Sequence, residues 1–149
     1  MRILLTEDEP ELRSMLSDAL TEADYKVIEA DSGDAAAVLL SRPERFDALV
    51  TDIHMPGRLN GLALGRRFRA RYAHSPILYM TGRPDAMGGV KLHPSREAVL
   101  FKPYGLLVLV ATVQGMLAAS MQDQGSTGFW WNKRWRTNRA HALSTSEAG

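Results

Sequence analysis

Four short apolar runs, each closing on a chemically useful residue, constrain this chain more than any other feature. Ile3-Leu4-Leu5 leads into Thr6-Glu7-Asp8-Glu9-Pro10, and Ala48-Leu49-Val50-Thr51 into Asp52-Ile53-His54-Met55-Pro56. Ile77-Leu78-Tyr79-Met80 leads into Thr81-Gly82, and Val99-Leu100-Phe101 into Lys102-Pro103. Short apolar runs bounded by turn formers read as buried strands. Helix-spaced segments lie between them. Such alternation predicts an α/β fold with a parallel sheet covered by helices on both faces. The carboxyl ends of the strands then share one edge, where ligands bind in open sheets of this kind.

The elements can be placed from local signals. Strands are predicted at 2–6, 26–30, 46–51, 76–80 and 98–101. Pro10 suits the first turn of a helix, and Leu12, Leu16, Ala19, Leu20 and Ala23 follow at helical spacing. Residues 33–41 read as a second helix that stops before Arg42-Pro43, as the restriction on a residue preceding proline favours. Residues 62–72 read as a third, with Leu62, Phe68 and Tyr72 inward and Arg66, Arg67, Arg69 and Arg71 mostly outward. Residues 84–92 form a weak fourth, since Gly88-Gly89 disfavours it, and 105–121 the last. The pattern is a βα unit repeated five times.

The shared edge would gather Glu7, Asp8, Asp52, Thr81 and Lys102. A hard cation such as Mg²⁺ takes oxygen ligands and retains several waters. Asp8 and Asp52 suit direct ligation, Glu7 ligation through a water, and the carbonyl of His54 a further oxygen. A cation there screens the repulsion between carboxylates and an incoming phosphoryl group. Asp52 is then the candidate nucleophile of an aspartyl-phosphate reaction. Thr81 would donate to one phosphoryl oxygen and Lys102 would pair with another, so that positioning and charge neutralisation supply the catalysis. The His54 ring is read as flanking the pocket and Arg83 as lying near it; His74, His93 and His141 are read as surface residues.

At these residues the sequence resembles response-regulator receiver domains over residues 1 to about 121. The matching motifs are Glu7-Asp8-Glu9, Asp52-Ile53-His54-Met55-Pro56-Gly57, Thr81-Gly82 and Lys102-Pro103-Tyr104. The resemblance implies a doubly wound, five-stranded parallel sheet of strand order 2-1-3-4-5. It implies a cis peptide at Lys102-Pro103. It further implies a stand-alone, bacterial, phosphorylation-dependent switch of a two-component system or phosphorelay. A partner phosphohistidine, on a histidine kinase or phosphotransfer protein, would supply the phosphoryl group to Asp52, and a downstream protein would read the result. No enzymatic activity beyond its own phosphorylation and dephosphorylation is implied. Two other readings use the same residues. One is a pseudo-receiver that binds a protein without phosphorylation; the other is a phosphotransferase or phosphatase with an aspartyl-phosphate intermediate. The intact acidic set argues against the first, and the lack of an additional general acid against the second.

The chain departs from the family's pattern at the end of the last strand. Many receivers carry an aromatic residue three positions before the lysine; here that position is Val99. Phe101 is expected on a different pleat, so coupling of Thr81 to an aromatic ring is in doubt. Tyr79-Met80-Thr81-Gly82 resembles receivers in which an aromatic before the threonine accompanies loss of that coupling. The 56–61 loop is about one residue longer than in the commonest receivers.

Composition bounds the rest. With no cysteine among 149 residues, disulfides, thiolate metal sites and cysteine nucleophiles are excluded. No secretory signal is visible, and the apolar stretch from Leu106 reads as too interrupted to span a bilayer, so a cytoplasmic protein is expected. Residues 122–149 carry Lys133, Arg134, Arg136 and Arg139 against Asp123 and Glu147, and hold all three tryptophans, Trp130, Trp131 and Trp135. A domain of 1–121 followed by a basic tail of 122–149 is therefore expected. The tail is too short for a DNA-binding output domain and shows no helix-turn-helix pattern. Between Tyr104 and Met121 no residue is charged, whereas a surface helix normally has a polar face; this one offers only Thr112, Gln114 and Ser120, or, if packed conventionally, small outer residues such as Ala111, Gly115, Ala118 and Ala119. The outer face of that helix is expected to be covered, by a second copy in a homodimer or by the tail.

Overall fold

The computed structural model describes residues 1–123. Five parallel strands, β1 (Arg2–Thr6), β2 (Lys26–Ala30), β3 (Ala48–Asp52), β4 (Ile77–Thr81) and β5 (Glu97–Phe101), form one sheet in the order β2-β1-β3-β4-β5. The helices are α1 (Pro10–Glu22), α2 (Gly33–Leu40), α3 (Gly61–Arg71) and α4 (Leu106–Asp123). The doubly wound architecture and its strand order are those expected from the sequence.

Side chains alternate between the faces of a strand, and this alternation builds two cores. Ile3, Leu5, Val50, Leu78, Met80 and Leu100 pack against Leu16 and Leu20 of α1 and against Leu109, Val113 and Met116 of α4. Leu4, Leu49, Ile77, Tyr79 and Val99 pack against Ala36 and Leu40 of α2 and against Leu64 and Phe68 of α3. Local chemistry sets the helix starts. The Ser32 side chain accepts from the Ala35 N–H at 3.0 Å, and the Asn60 side chain from the Ala63 N–H at 2.8 Å. Both satisfy an N–H that the first turn leaves without a helical partner.

Three expectations are corrected. Residues 84–92 form no α-helix: a 3-10 turn at Pro84–Met87 gives way to irregular chain, consistent with Gly89 at φ +75°. The βα repeat thus has four helices, and Met87 and Leu92 pack on the sheet in place of a fifth. Phe101 lies on the same face as Val99, two residues away, and both belong to the α2–α3 core. In α3, Phe68 and Tyr72 are buried, but Leu64 is the fully buried leucine and Leu62 only half-buried. Arg69 of that helix is half-buried and pairs with Glu97 at 2.9 Å.

By length and composition α4 could cross a bilayer. Packing accounts for the apolarity of its inner face: Leu109, Thr112, Val113, Met116, Leu117 and Ala119 are buried. Thr112, expected among the polar outer residues, is buried and donates to the Val108 carbonyl at 2.7 Å. Ala119, one of the small residues expected outside, is fully buried. The helix runs to Asp123, past the boundary expected at residue 121. The remainder of the tail, with its tryptophans and His141, lies outside the described residues.

Candidate phosphoryl and metal site

Strand register assembles the site. Thr6 of β1 pairs with Thr51 of β3, so Glu7 arrives beside Asp52. Asp52 pairs with Met80 of β4, and Thr81 with Phe101 of β5. Thr81 and Lys102 therefore follow at the same edge. Carboxylate oxygens of Glu7, Asp8 and Asp52 lie within 4.8 Å of one another. Glu7 and Asp52 are buried, while Asp8 is exposed. The Lys102 Nζ lies 3.2 Å from Asp52 Oδ2 and 3.8 Å from Glu7 Oε2. The Lys102-Pro103 peptide is cis.

The carboxylates are differently partnered. Asp52 Oδ1 accepts the His54 N–H at 3.4 Å. Glu7 Oε1 accepts the Glu9 N–H at 3.2 Å, whereas its buried Oε2 has no hydrogen-bond partner. Burial, opposed by the Glu9 N–H and reinforced by the neighbouring charge of Asp52, pushes the Glu7 carboxyl up to about 7. Three clustered carboxylates, one with a buried oxygen that accepts no hydrogen bond, fit a hard divalent cation with oxygen preference. Glu7, Asp8 and Asp52 would hold Mg²⁺; the His54 side chain is exposed and stands outside the cluster.

A pH effect follows from Glu7. Its folded-state value of about 7 exceeds the ordinary 4.5, so the metal-free fold holds a proton that the unfolded chain has released. That contribution to stability is complete below pH 4.5 and is lost as pH rises through about 7. Metal-free thermal stability should fall over that window, and Glu7→Gln should flatten the fall. Mg²⁺ competes with the same proton, so its apparent affinity should rise through the window. Calorimetric metal titrations in two buffers of different ionisation enthalpy would read the released proton.

Thr81 is fully buried, and its hydroxyl is engaged locally: it accepts the Arg83 N–H at 3.0 Å and lies 3.3 Å from the Arg83 carbonyl as donor. The Arg83 side chain is exposed. His74 is exposed as expected, but His93 is half-buried, and burial lowers its pKa.

Three contributors were not singled out from sequence. Arg13 donates to the Glu7 carbonyl at 2.9 Å. Tyr104 donates to Met80 Sδ at 2.9 Å, and its hydroxyl is raised in pKa by burial, then by the charges of Glu7 and Asp52. Asp34, at the start of α2, accepts the Arg58 N–H at 3.0 Å and so ties down the loop after Asp52. Tyr104 stands in the Lys102-Pro103-Tyr104 motif, so a signal was present. Arg13 and Asp34 act through backbone groups outside their own helices, which no local pattern marks.

Residues 3–114 match the family model of the response regulator receiver domain. The chain belongs to the response-regulator receiver family. It is 37% identical over 124 residues to the response regulator receiver protein CpdR of Brucella abortus, covering 80% of this chain and 98% of that one. It is 35% identical to the response regulator protein FleR of Pseudomonas aeruginosa, over 82% of this chain but 26% of FleR. With MprA of Mycobacterium leprae it shares 34% identity, covering 55% of that protein. The chain thus spans a quarter to a half of some curated relatives and nearly all of another. A solved receiver protein from Sinorhizobium medicae aligns with TM-score 0.75 and 26% identity, over 80% of this chain and 96% of that one. The receiver domain of the hybrid histidine kinase CckA aligns at 0.65 with 27% identity, over 78% and 99%. Receiver domains act as phosphoryl-accepting signalling modules and bind Mg²⁺ at an acidic pocket, and the Glu7, Asp8 and Asp52 cluster is that pocket's counterpart here.

Proposed function

We propose that this chain is a cytoplasmic receiver that takes a phosphoryl group onto Asp52 from a phosphohistidine on a histidine kinase or phosphotransfer protein. The observation that carries the reading is the position of Asp52: buried at a strand end, 3.2 Å from Lys102 and grouped with Glu7 and Asp8. An Asp52 carboxylate oxygen attacks phosphorus. The bond between phosphorus and the donor's ring nitrogen breaks, and the electron pair leaves with the imidazole, which takes up a proton. Asp52 is left as an acyl phosphate. When bound, Mg²⁺ offsets the charge accumulating among carboxylates and phosphoryl oxygens. Lys102 exchanges its contact with Asp52 for a phosphoryl oxygen. The Thr81 hydroxyl turns from the Arg83 carbonyl to donate to another, and the β4 edge and the 82–96 segment shift with it. A downstream protein reads that shift.

Val99 leaves no ring three positions before Lys102, and the ring that β5 does carry, Phe101, stands opposite Thr81 itself. The ring beside Val99 is that of Tyr79, which pairs with it across the strands. It is accommodated because residue 65 of α3 is glycine; a Cβ there would overlap the Tyr79 hydroxyl. We therefore place the coupling in backbone and loop movement after Thr81. Incubation with phosphorylated histidine kinases tests the assignment: label should pass to the wild-type chain from its cognate donor and not to Asp52→Asn. Equal labelling of both chains would refute Asp52 as acceptor.

A further inference from the structure

We infer that the outer face of α4 is a docking strip for the tryptophan-bearing segment 129–136 of the same chain. Among the described residues, six large hydrophobic side chains are exposed, and three of them, Leu107, Val108 and Met121, belong to α4. Leu107 is 85% exposed and Met121 60%. With Ala111, Gln114 and Ala118 they fall at helical spacing along one side, and that side bears no charge from Tyr104 to Met121. An apolar strip of this length on a soluble fold marks an interaction surface.

The same chain carries a fitting occupant just beyond α4. Phe129-Trp130-Trp131-Asn132-Lys133-Arg134-Trp135-Arg136 begins six residues after α4 ends. The intervening Gln124-Gly125-Ser126-Thr127-Gly128 has a composition that permits reversal of direction. From Asp123, Trp130 can reach about 23 Å and Trp135 about 40 Å at ~3.3 Å per residue. Leu107 and Met121 are only about 21 Å apart along a helix rising 1.5 Å per residue. Every part of the strip is therefore within reach. Indole rings bring large apolar area and favour contact with methionine sulfur. Lys133, Arg134 and Arg136 interleave with the rings and can stay solvated at the margin, since the strip offers no charge to pair with them. A tethered segment acts at an effective concentration of order millimolar. A second copy of the chain at micromolar concentration competes for the same strip at a disadvantage.

The tryptophans supply the test, because all three lie between residues 130 and 135 and tryptophan emission therefore reports on this segment alone. In the full-length chain, emission should be blue-shifted and protected from iodide quenching relative to the denatured chain. Protection should be independent of protein concentration in the range where sedimentation shows a monomer. Leu107→Glu and Met121→Glu, both at exposed positions, should each shift emission to the red while far-ultraviolet circular dichroism stays unchanged. Water-like emission in the wild type would overturn the inference, as would emission unaffected by either variant. Protection that appears only with self-association would assign the strip to a second copy. Protection that appears only on adding anionic vesicles would assign the segment to a membrane surface. Either result would also overturn it.

Discussion

Lys102→Met is expected to slow phosphoryl uptake on Asp52 by about 10²–10³-fold, the usual effect of removing one preorganised group that stabilises developing negative charge. Lys102 is the cation nearest the nucleophile, 3.2 Å from Asp52 and 3.8 Å from Glu7. Methionine keeps most of the side chain's length and apolar stem, so packing beside Gly82 and Pro103 changes little. The charge is what disappears. Glu7, already pushed up to about 7 mainly by burial, loses a neighbour that holds it down. Its carboxyl should then keep its proton to higher pH. Rates of uptake from a small-molecule phosphodonor, followed by intact mass at saturating Mg²⁺, separate the charge effect from any change in metal binding. A rate within a factor of a few of wild type would remove Lys102 from the chemistry. An Arg in its place should restore little, since a planar guanidinium does not reproduce a compact ammonium.

Gly61→Ala should be the most damaging single-methyl change near the site. Gly61 starts α3, and its N–H donates to the Ile53 carbonyl at 2.8 Å. A Cβ there would overlap the backbone carbonyl oxygen of Asp52, a group held in the β3 ladder and unable to rotate aside. Relief requires α3 to move from the sheet or the Asp52 backbone to shift. Overpacking of this kind costs about 1–3 kcal/mol, and here the displaced atoms carry the nucleophile. Phosphoryl uptake should therefore fall beyond what reduced stability explains. Gly115→Ala is the internal comparison. That residue lies within α4, and an added Cβ meets nothing within 4 Å. Replacing a helical glycine by alanine there should stabilise by about 0.5–1 kcal/mol. Denaturant titrations of both variants should give opposite signs. A neutral Gly61→Ala would mean that the loop after Asp52 is looser than its contacts with Gly61 and Asp34 indicate.

The strand ends were legible because each combines two local signals: an apolar run that must be buried, and a polar residue placed just after it. Parallel topology then brings those residues to one edge whatever the loops do. This is why Glu7, Asp8, Asp52 and Lys102 could be grouped before any coordinates. What the sequence hid depends on tertiary partners. Residues 84–92 carry some helix formers, but Gly88 and Gly89 break the run, and the chain instead lays Met87 and Leu92 on the sheet. Arg13 and Asp34 hold backbone groups outside their own helices, a role that sequence does not mark on a charged residue. Ala119 and Thr112 read as outer residues by size and polarity; the packing of α4 decides otherwise. The assignment of Phe101 to the opposite pleat from Val99 failed on the two-residue period itself, which places both on the α2–α3 side. The expectation that α4 is covered rests on an uncharged run; the exposure of Leu107 and Met121 locates the side concerned.

The central claim is that Asp52 accepts the phosphoryl group in a cluster that requires Mg²⁺. Intact-mass spectrometry after incubation with acetyl phosphate tests it most directly. With Mg²⁺, the wild-type chain should gain one phosphoryl group that survives mild acid and is lost in base, as an acyl phosphate is. Without Mg²⁺, or in Asp52→Asn, the unmodified mass should remain. One adduct of equal yield on Asp52→Asn, or an adduct formed equally well without the metal, would contradict the account.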